Sequence, residues 1–185
     1  MNLMSHPRQD RRWSGDEFLR AWEAGEFEHR VELIDGEVWP VSIGRWHGPT
    51  TMEVSAALRH PSVVVTNETL VSGESYPDPD CWVRRRGAAP TGSAGMHIAI
   101  WNPADVLLVV EVSQESVMRD LQIKSRLYGK AGWPIYWVVT QKVIYEHTEP
   151  YEQGYRKRAE YLPGTKIPVR YANTELVVSD LIADE

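Results

Sequence analysis

The spacing of apolar and polar positions changes several times along this chain, and each change marks an element. Residues 106–112 are apolar at every position except Glu111. A run apolar on both faces fits a strand covered from both sides, the centre of a sheet. Residues 63–65 and 135–140 read as further buried strands, and residues 80–86 as another. Three stretches change to helical spacing. Ser14 and Glu17 form a capping box ahead of a short helix that reaches Ala24, with Gly25 as its stop. Residues 49–60 predict a second helix with Met52, Ala56 and Leu58 as its apolar positions. Ser116 is placed to cap a third helix running to Lys130, with Val117, Leu121 and Tyr128 on its core face and Gly132 ending it. Residues 31–39 read as a hairpin, because Asp35-Gly36 supplies the positive φ angles of a tight turn. Residues 87–97, rich in Gly, Ala, Ser and Pro, read as a flexible loop. Residues 143–147, 155–161, 167–169 and 176–178 predict C-terminal β-hairpins. The order implies an α/β fold with a central mixed β-sheet flanked by helices.

Composition narrows this picture. The chain has 185 residues, enough for one core, so a single domain is expected over residues 13–185 after a loose N-terminal tail, 1–12. One cysteine, Cys81, rules out an internal disulfide and is expected to point into the core. There is no apolar leader and no run near the ~18 residues that cross a membrane, so the cytoplasm is the expected location. The net charge of −6 argues against a protein that coats nucleic acid through a basic surface. Local contacts to phosphate remain open at Arg84-Arg85-Arg86 and Arg156-Lys157-Arg158, whose bland reading is a solvated strand end or hairpin.

The chemistry gathers in the middle of the chain. Glu111 ends the most apolar strand, where an ionised carboxylate is costly unless paired or bound to a metal. Ligands of open α/β sheets sit beyond such strand ends. Asp80 opens the preceding strand behind Pro79, which restricts the backbone and helps aim the carboxylate, and Asp78 competes for the same role. Lys124 follows Asp120 by four and precedes Tyr128 by four, so the three share a helix face. If that face turns toward Glu111, the ammonium can orient or deprotonate a water or stabilise developing charge. If it turns outward, Asp120 and Lys124 form an ordinary surface pair. Ser113 lies two residues after Glu111, where a lysine would complete a Glu-x-Lys spacing, so the lysine must come from elsewhere. Glu32 or Glu37 can add a third carboxylate, and His47 can contact phosphate, carry a proton or serve structure alone. Trp101 and Trp133 are candidates to shape a pocket. No paired Cys/His spacing, nucleophile elbow or phosphate-binding glycine loop is present.

Taken in order, Glu32 to Glu37, His47, Pro79-Asp80, Val109 to Ser113, Asp120, Lys124, Tyr128, Gly132 and Tyr136 to Val139 resemble the Uma family of restriction endonucleases, within the PD-(D/E)XK nuclease superfamily. The resemblance spans about residues 30–140. It implies a restriction-endonuclease-like fold, Asp80 and Glu111 as ligands of Mg2+ or Mn2+, Lys124 as the catalytic lysine displaced onto a helix, and Glu32 completing the acidic set. It implies DNA as substrate, with His47, Arg84 and Tyr128 as candidate substrate contacts, and a homodimer as the simplest way to cut two strands. The rival expectations are a non-catalytic module on the same fold that binds nucleic acid or a partner, and a small-molecule phosphodiesterase.

Overall fold

The computed structural model describes residues 12–41 and 44–182. Most of the expected tail lies outside them. Helix α1 (Gly15–Glu23) starts at the anticipated capping box: the Ser14 hydroxyl accepts from the Glu17 N–H, and the Glu17 carboxylate accepts from the Ser14 N–H. Strands β1 (Val31–Ile34) and β2 (Glu37–Pro40) form the expected hairpin, with Asp35 at φ 48° and Gly36 at φ 81°. Helix α2 (His47–Ala57) begins two residues earlier than anticipated. Its buried face is Thr50, Val54 and the adjoining Leu58, whereas Met52 is 74% exposed. The apolar phase predicted through Met52 and Ala56 is therefore corrected by one turn position: both face water, and Leu58 alone of the three is buried.

The main sheet follows. Strands β3 (Val63–Thr66), β4 (Cys81–Arg85), β7 (Val106–Val112), β8 (Ile135–Val139), β9 (Ile144–Tyr151) and β10 (Gly154–Tyr161) lie in the order β10-β9-β8-β7-β4-β3. Only β7 and β8 run parallel, so the sheet is mixed and β7 is central as expected. The loop predicted at 87–97 contains a short strand. This is β5 (Gly92–Ala94), which pairs with β6 (Ile98–Ile100) around a turn in which Gly95 takes φ +55°. Small residues hid this strand, because they carry little β-propensity of their own. Strands β11 (Lys166–Val169) and β12 (Thr174–Val177) make the last hairpin, followed by α5 (Val178–Leu181).

Alternation along β7 divides the core. Leu108, Val110 and Val112 face α2 and α5, packing with Val54, Leu58, Trp137, Val178 and Leu181. Val109 faces the other way, toward Trp82, Leu127, Tyr128, Trp133 and Tyr136. Burying rings of this size contributes on the order of 3 kcal/mol each. A third cluster joins α1 to the β1–β2 hairpin through Phe18, Leu19, Leu33 and Tyr76.

The element that crosses from β7 to β8 departs from the expected regular helix. Residues 117–130 form α3 (Val117–Arg119), a π-helical turn (Asp120–Lys124) and α4 (Ser125–Lys130) without a break. Ser116 makes no side-chain cap, because its hydroxyl donates to the Asp120 carboxylate instead, at 2.6 Å. The Asp120 carbonyl accepts both the Ser125 N–H, five residues on, and the Tyr136 hydroxyl at 3.1 Å. Such single π turns are frequent at functional sites. Gly129 of α4 lies so close to Gly154 of β10 that an added Cβ would stand 1.9 Å from the Gly154 carbonyl oxygen. Helix and hairpin thus touch backbone to backbone.

Candidate active site

Glu111 is 4% exposed and points from the carboxyl end of β7 to the π turn. Lys124 meets its Oε1 at 2.8 Å, and the Tyr128 hydroxyl donates to the same oxygen at 2.6 Å. The shared face of Asp120, Lys124 and Tyr128 is therefore turned inward. Lys124 also lies 3.0 Å from Glu32 Oε2 and 4.0 Å from Asp120 Oδ1. Glu32 enters from β1, where it accepts the Asp78 N–H at 3.2 Å. The antiparallel register of β4 and β7, Cys81 with Val110, places Asp80 opposite Glu111 when extended by one residue. Asp80 Oδ2 accepts the Val112 N–H at 2.6 Å, and His47 Nε2 at the start of α2 reaches Oδ1 at 2.7 Å.

Ser113 does not replace the missing lysine chemically. Its hydroxyl donates to Asp120 Oδ2 at 2.7 Å, so it anchors the π turn from the strand side. Asp78, the competitor of Asp80, is paired with Arg30 and accepts from Thr69. Arg84 is not part of this cluster. It lies at the far end of β4, opposite Val106, with its guanidinium 4.4 Å from the Trp101 ring centre. At about 3.3 Å per residue, four residues of strand separate it from Asp80 by roughly 13 Å. Trp101 and Trp133 do line a groove of about 970 Å³, with Trp13 and Lys130, but Asp80, Glu111 and Lys124 are not in its wall. The anticipated aromatic pocket is thus separate from the carboxylates.

The electrostatics follow from burial. Desolvation raises the Glu111 carboxyl well above the ordinary range; Lys124 offsets this, while Asp80, Asp120 and Glu32 push it further up. Burial alone would lower Lys124, but Glu111, Glu32 and Asp120 outweigh it and hold the ammonium protonated above its usual 10.5. Tyr128 is raised by desolvation and then by Glu111, so its hydroxyl stays a donor.

Two neighbours escaped the sequence reading. Arg30 balances Asp78, and Arg119 lies beside Glu32 and Asp120. Arg119 directly precedes the Asp120–Lys124 spacing, which was the only local signal for it. Among the described residues, no three His, Cys, Asp or Glu side chains converge into a metal site made of protein alone.

A mixed sheet flanked by helices, whose central strand delivers a carboxylate to a helix-borne lysine, defines a restriction-endonuclease-like α/β fold. It is similar to the crystal structure of a "putative nuclease belonging to DUF820" from Anabaena variabilis ATCC 29413, with a TM-score of 0.66 at 14% identity over 92% of this chain and 97% of that one. The model of the family Uma2, described as "Putative restriction endonuclease", matches residues 16–175, and the chain belongs to that family. No curated protein matches it. No helix among the described residues is long and apolar enough to cross a membrane.

Proposed function

We propose that this protein is a cytoplasmic, metal-dependent endonuclease that hydrolyses DNA phosphodiester bonds at the Asp80–Glu111–Lys124 cluster. The observation that carries this reading is the 2.8 Å contact between a lysine on the crossing helix and the glutamate ending the central strand. That contact supplies the lysine that Ser113 does not.

The donor set suits a hard divalent cation. Glu32, Asp78, Asp80, Glu111 and Asp120 gather around Lys124, Arg30 and Arg119, and a bound cation would favour the ionised form of Glu111 against the burial that raises it. Lys124 and Tyr128 both bind Oε1 of Glu111, so Oε2 stands outside those two bonds. Asp80 oxygens each keep a second lone pair. Mg2+ typically takes one or two carboxylates and fills its remaining positions with water and substrate phosphate, so a fully protein-built cage is not required. Asp80 and Glu111 would hold the ion, with the Val112 carbonyl as a further ligand. When bound, Mg2+ or Mn2+ polarises a phosphate oxygen and lowers the pKa of a water.

The side chains do the rest. Tyr128 fixes the Glu111 carboxylate, and His47 with the Val112 N–H fixes Asp80. Lys124, held as an ammonium, orients the attacking water and stabilises charge that develops on the phosphate. Its protonation makes it a donor rather than a base. Water forms the new bond to phosphorus, the bond to the 3′ oxygen breaks, and that oxygen takes up the proton. The products are a 3′-hydroxyl and a 5′-phosphate. Cutting both strands asks for two copies related by a twofold axis, so the protein is expected to dimerise on its substrate.

A non-catalytic reading has one observation in its favour: Lys124 is already engaged by Glu111 and Glu32. Mn2+ titration by calorimetry and a plasmid-nicking assay separate the two. Wild type is expected to bind Mn2+ and nick DNA, while Asp80→Ala and Glu111→Ala lose both. Metal-dependent nicking that survives in either variant would show that the assignment is wrong. DNA binding without turnover under any divalent ion would favour the binding module.

A further inference from the structure

Arg119 lies at the carboxylate cluster and has no part in the proposed reaction. It sits at the last residue of α3, with its guanidinium 5.3 Å from the Trp39 ring centre. Glu32 and Trp39 are register partners across the β1–β2 hairpin. Directly opposed residues point to one face of such a pair, so the arginine meets a carboxylate and a ring together. Yet its approaches to the acids are long: 3.9 Å from Nη2 to Glu32 Oε1 and 3.7 Å from Nε to Asp120 Oδ1. Both exceed hydrogen-bond range. The buried Nε has no hydrogen-bond partner, and neither has Asp120 Oδ1.

The same protein shows what a structural arginine looks like. Arg170 closes on Glu146 with two bonds, at 2.6 and 2.9 Å. Arg119 has two acids within reach and closes on neither. Leaving a buried donor unmatched is costly, so this geometry is not that of a closed structural pair. Pairing singles out the same residue. Lys124 is 3% exposed and held by Glu111 and Glu32, and Arg30, though 43% exposed, is closed on Asp78. Arg119 is 21% exposed and closed on neither acid.

We propose that Arg119 grips a backbone phosphate of the nucleic-acid substrate at the mouth of the site, with Trp39 holding the guanidinium plane in position. The inference rests on the nuclease reading for its substrate class. A planar fork of donors matches two phosphate oxygens at once, which an ammonium cannot do. It also screens the incoming phosphate from Glu32 and Asp120, which would otherwise repel it.

The test is fluorescence anisotropy of a labelled DNA duplex with Ca2+ replacing Mg2+, across a series of salt concentrations. Arg119→Ala is expected to weaken binding roughly tenfold or more and to reduce the slope of log affinity against log salt by about one. Arg119→Lys is expected to restore the slope but only part of the affinity. It also keeps the charge balance of the cluster, so it covers the case in which the alanine variant fails to fold. Arg126→Ala, exposed on the same helical run, serves as the reference and leaves both values unchanged. A folded Arg119→Ala protein with wild-type affinity and slope overturns the proposal, as does a wild type that binds no duplex. Tight wild-type binding without cleavage in Mg2+ or Mn2+ sinks the nuclease reading, while the loss of slope still supports the contact. Normal cleavage with an unchanged slope does the reverse.

Discussion

Lys124 carries its charge in a nearly buried place, and it does so because two carboxylates stand within 3.0 Å. Removing one partner of such a group leaves the others buried and uncompensated, which is why the cluster behaves as one unit. His147 on β9 is the opposite case. It is 5% exposed, its ring stacks on Tyr136 at 5.3 Å, and its Nδ1 has no partner. Burial lowers its pKa from 6.5 to about 4; Arg158 adds to this, while Glu146 and the backbone at Tyr136 oppose it. Below pH 6.5 the unfolded chain takes up a proton that the folded one refuses. The stability tied to neutral His147 is therefore present above pH 6.5 and is lost as pH falls toward 4. The linked loss is up to about 3 kcal/mol. Urea unfolding of wild type and His147→Gln, at neutral and at acidic pH, checks it. Wild type should lose more stability on acidification than the variant; equal losses would rule out a proton at this site.

Elements rather than single residues decide how Lys124 reaches Glu111. The π turn brings Asp120 and Lys124 inward together, and α4 is seated by the bare contact of Gly129 on Gly154. Gly129→Ala must push helix and hairpin apart, because a Cβ 1.9 Å from a carbonyl oxygen meets backbone that cannot rotate away. The expected cost is on the order of 3 kcal/mol or more, as for severe overpacking, with activity falling alongside. Gly25→Ala, where a Cβ meets nothing within 4 Å but φ is +71°, should cost only about 1–2 kcal/mol. Comparable melting temperatures for the two variants would contradict this account. These elements also show what the sequence carried and what it did not. Glu111 was legible because one carboxylate interrupted an apolar strand, and Asp80 because proline preceded it. The inward turn of Lys124 was conditional, since spacing alone cannot tell which way a helix face points. The π turn was hidden, because one of its carbonyls, that of Asp120, meets Tyr136 from a strand that only the fold brings near. Arg119 and Trp39 are 80 residues apart in the chain, and their contact exists only after the hairpin docks.

Across the whole molecule, the sheet divides one apolar cluster from another, and Cys81 lies inside the first. Desolvation pushes its thiol up to about 12, so it is both inaccessible and unionised near neutrality. Labelling by a thiol-reactive disulfide should therefore proceed only through opening of the core, at a rate that rises in step with urea-induced unfolding. Prompt labelling in native buffer would show that α2 leaves the sheet independently. The C-terminal hairpin is fixed to the same sheet, because Arg170 from beyond β11 pairs with Glu146 of β9. The backbone contact at Gly154 adds a consequence in time. A ribosome delivers the acids, the lysine and the helix before it delivers the hairpin against which that helix rests. An unfinished chain therefore holds every proposed catalytic side chain without the surface that seats them, and α4 finds its backbone support only once β10 has been made.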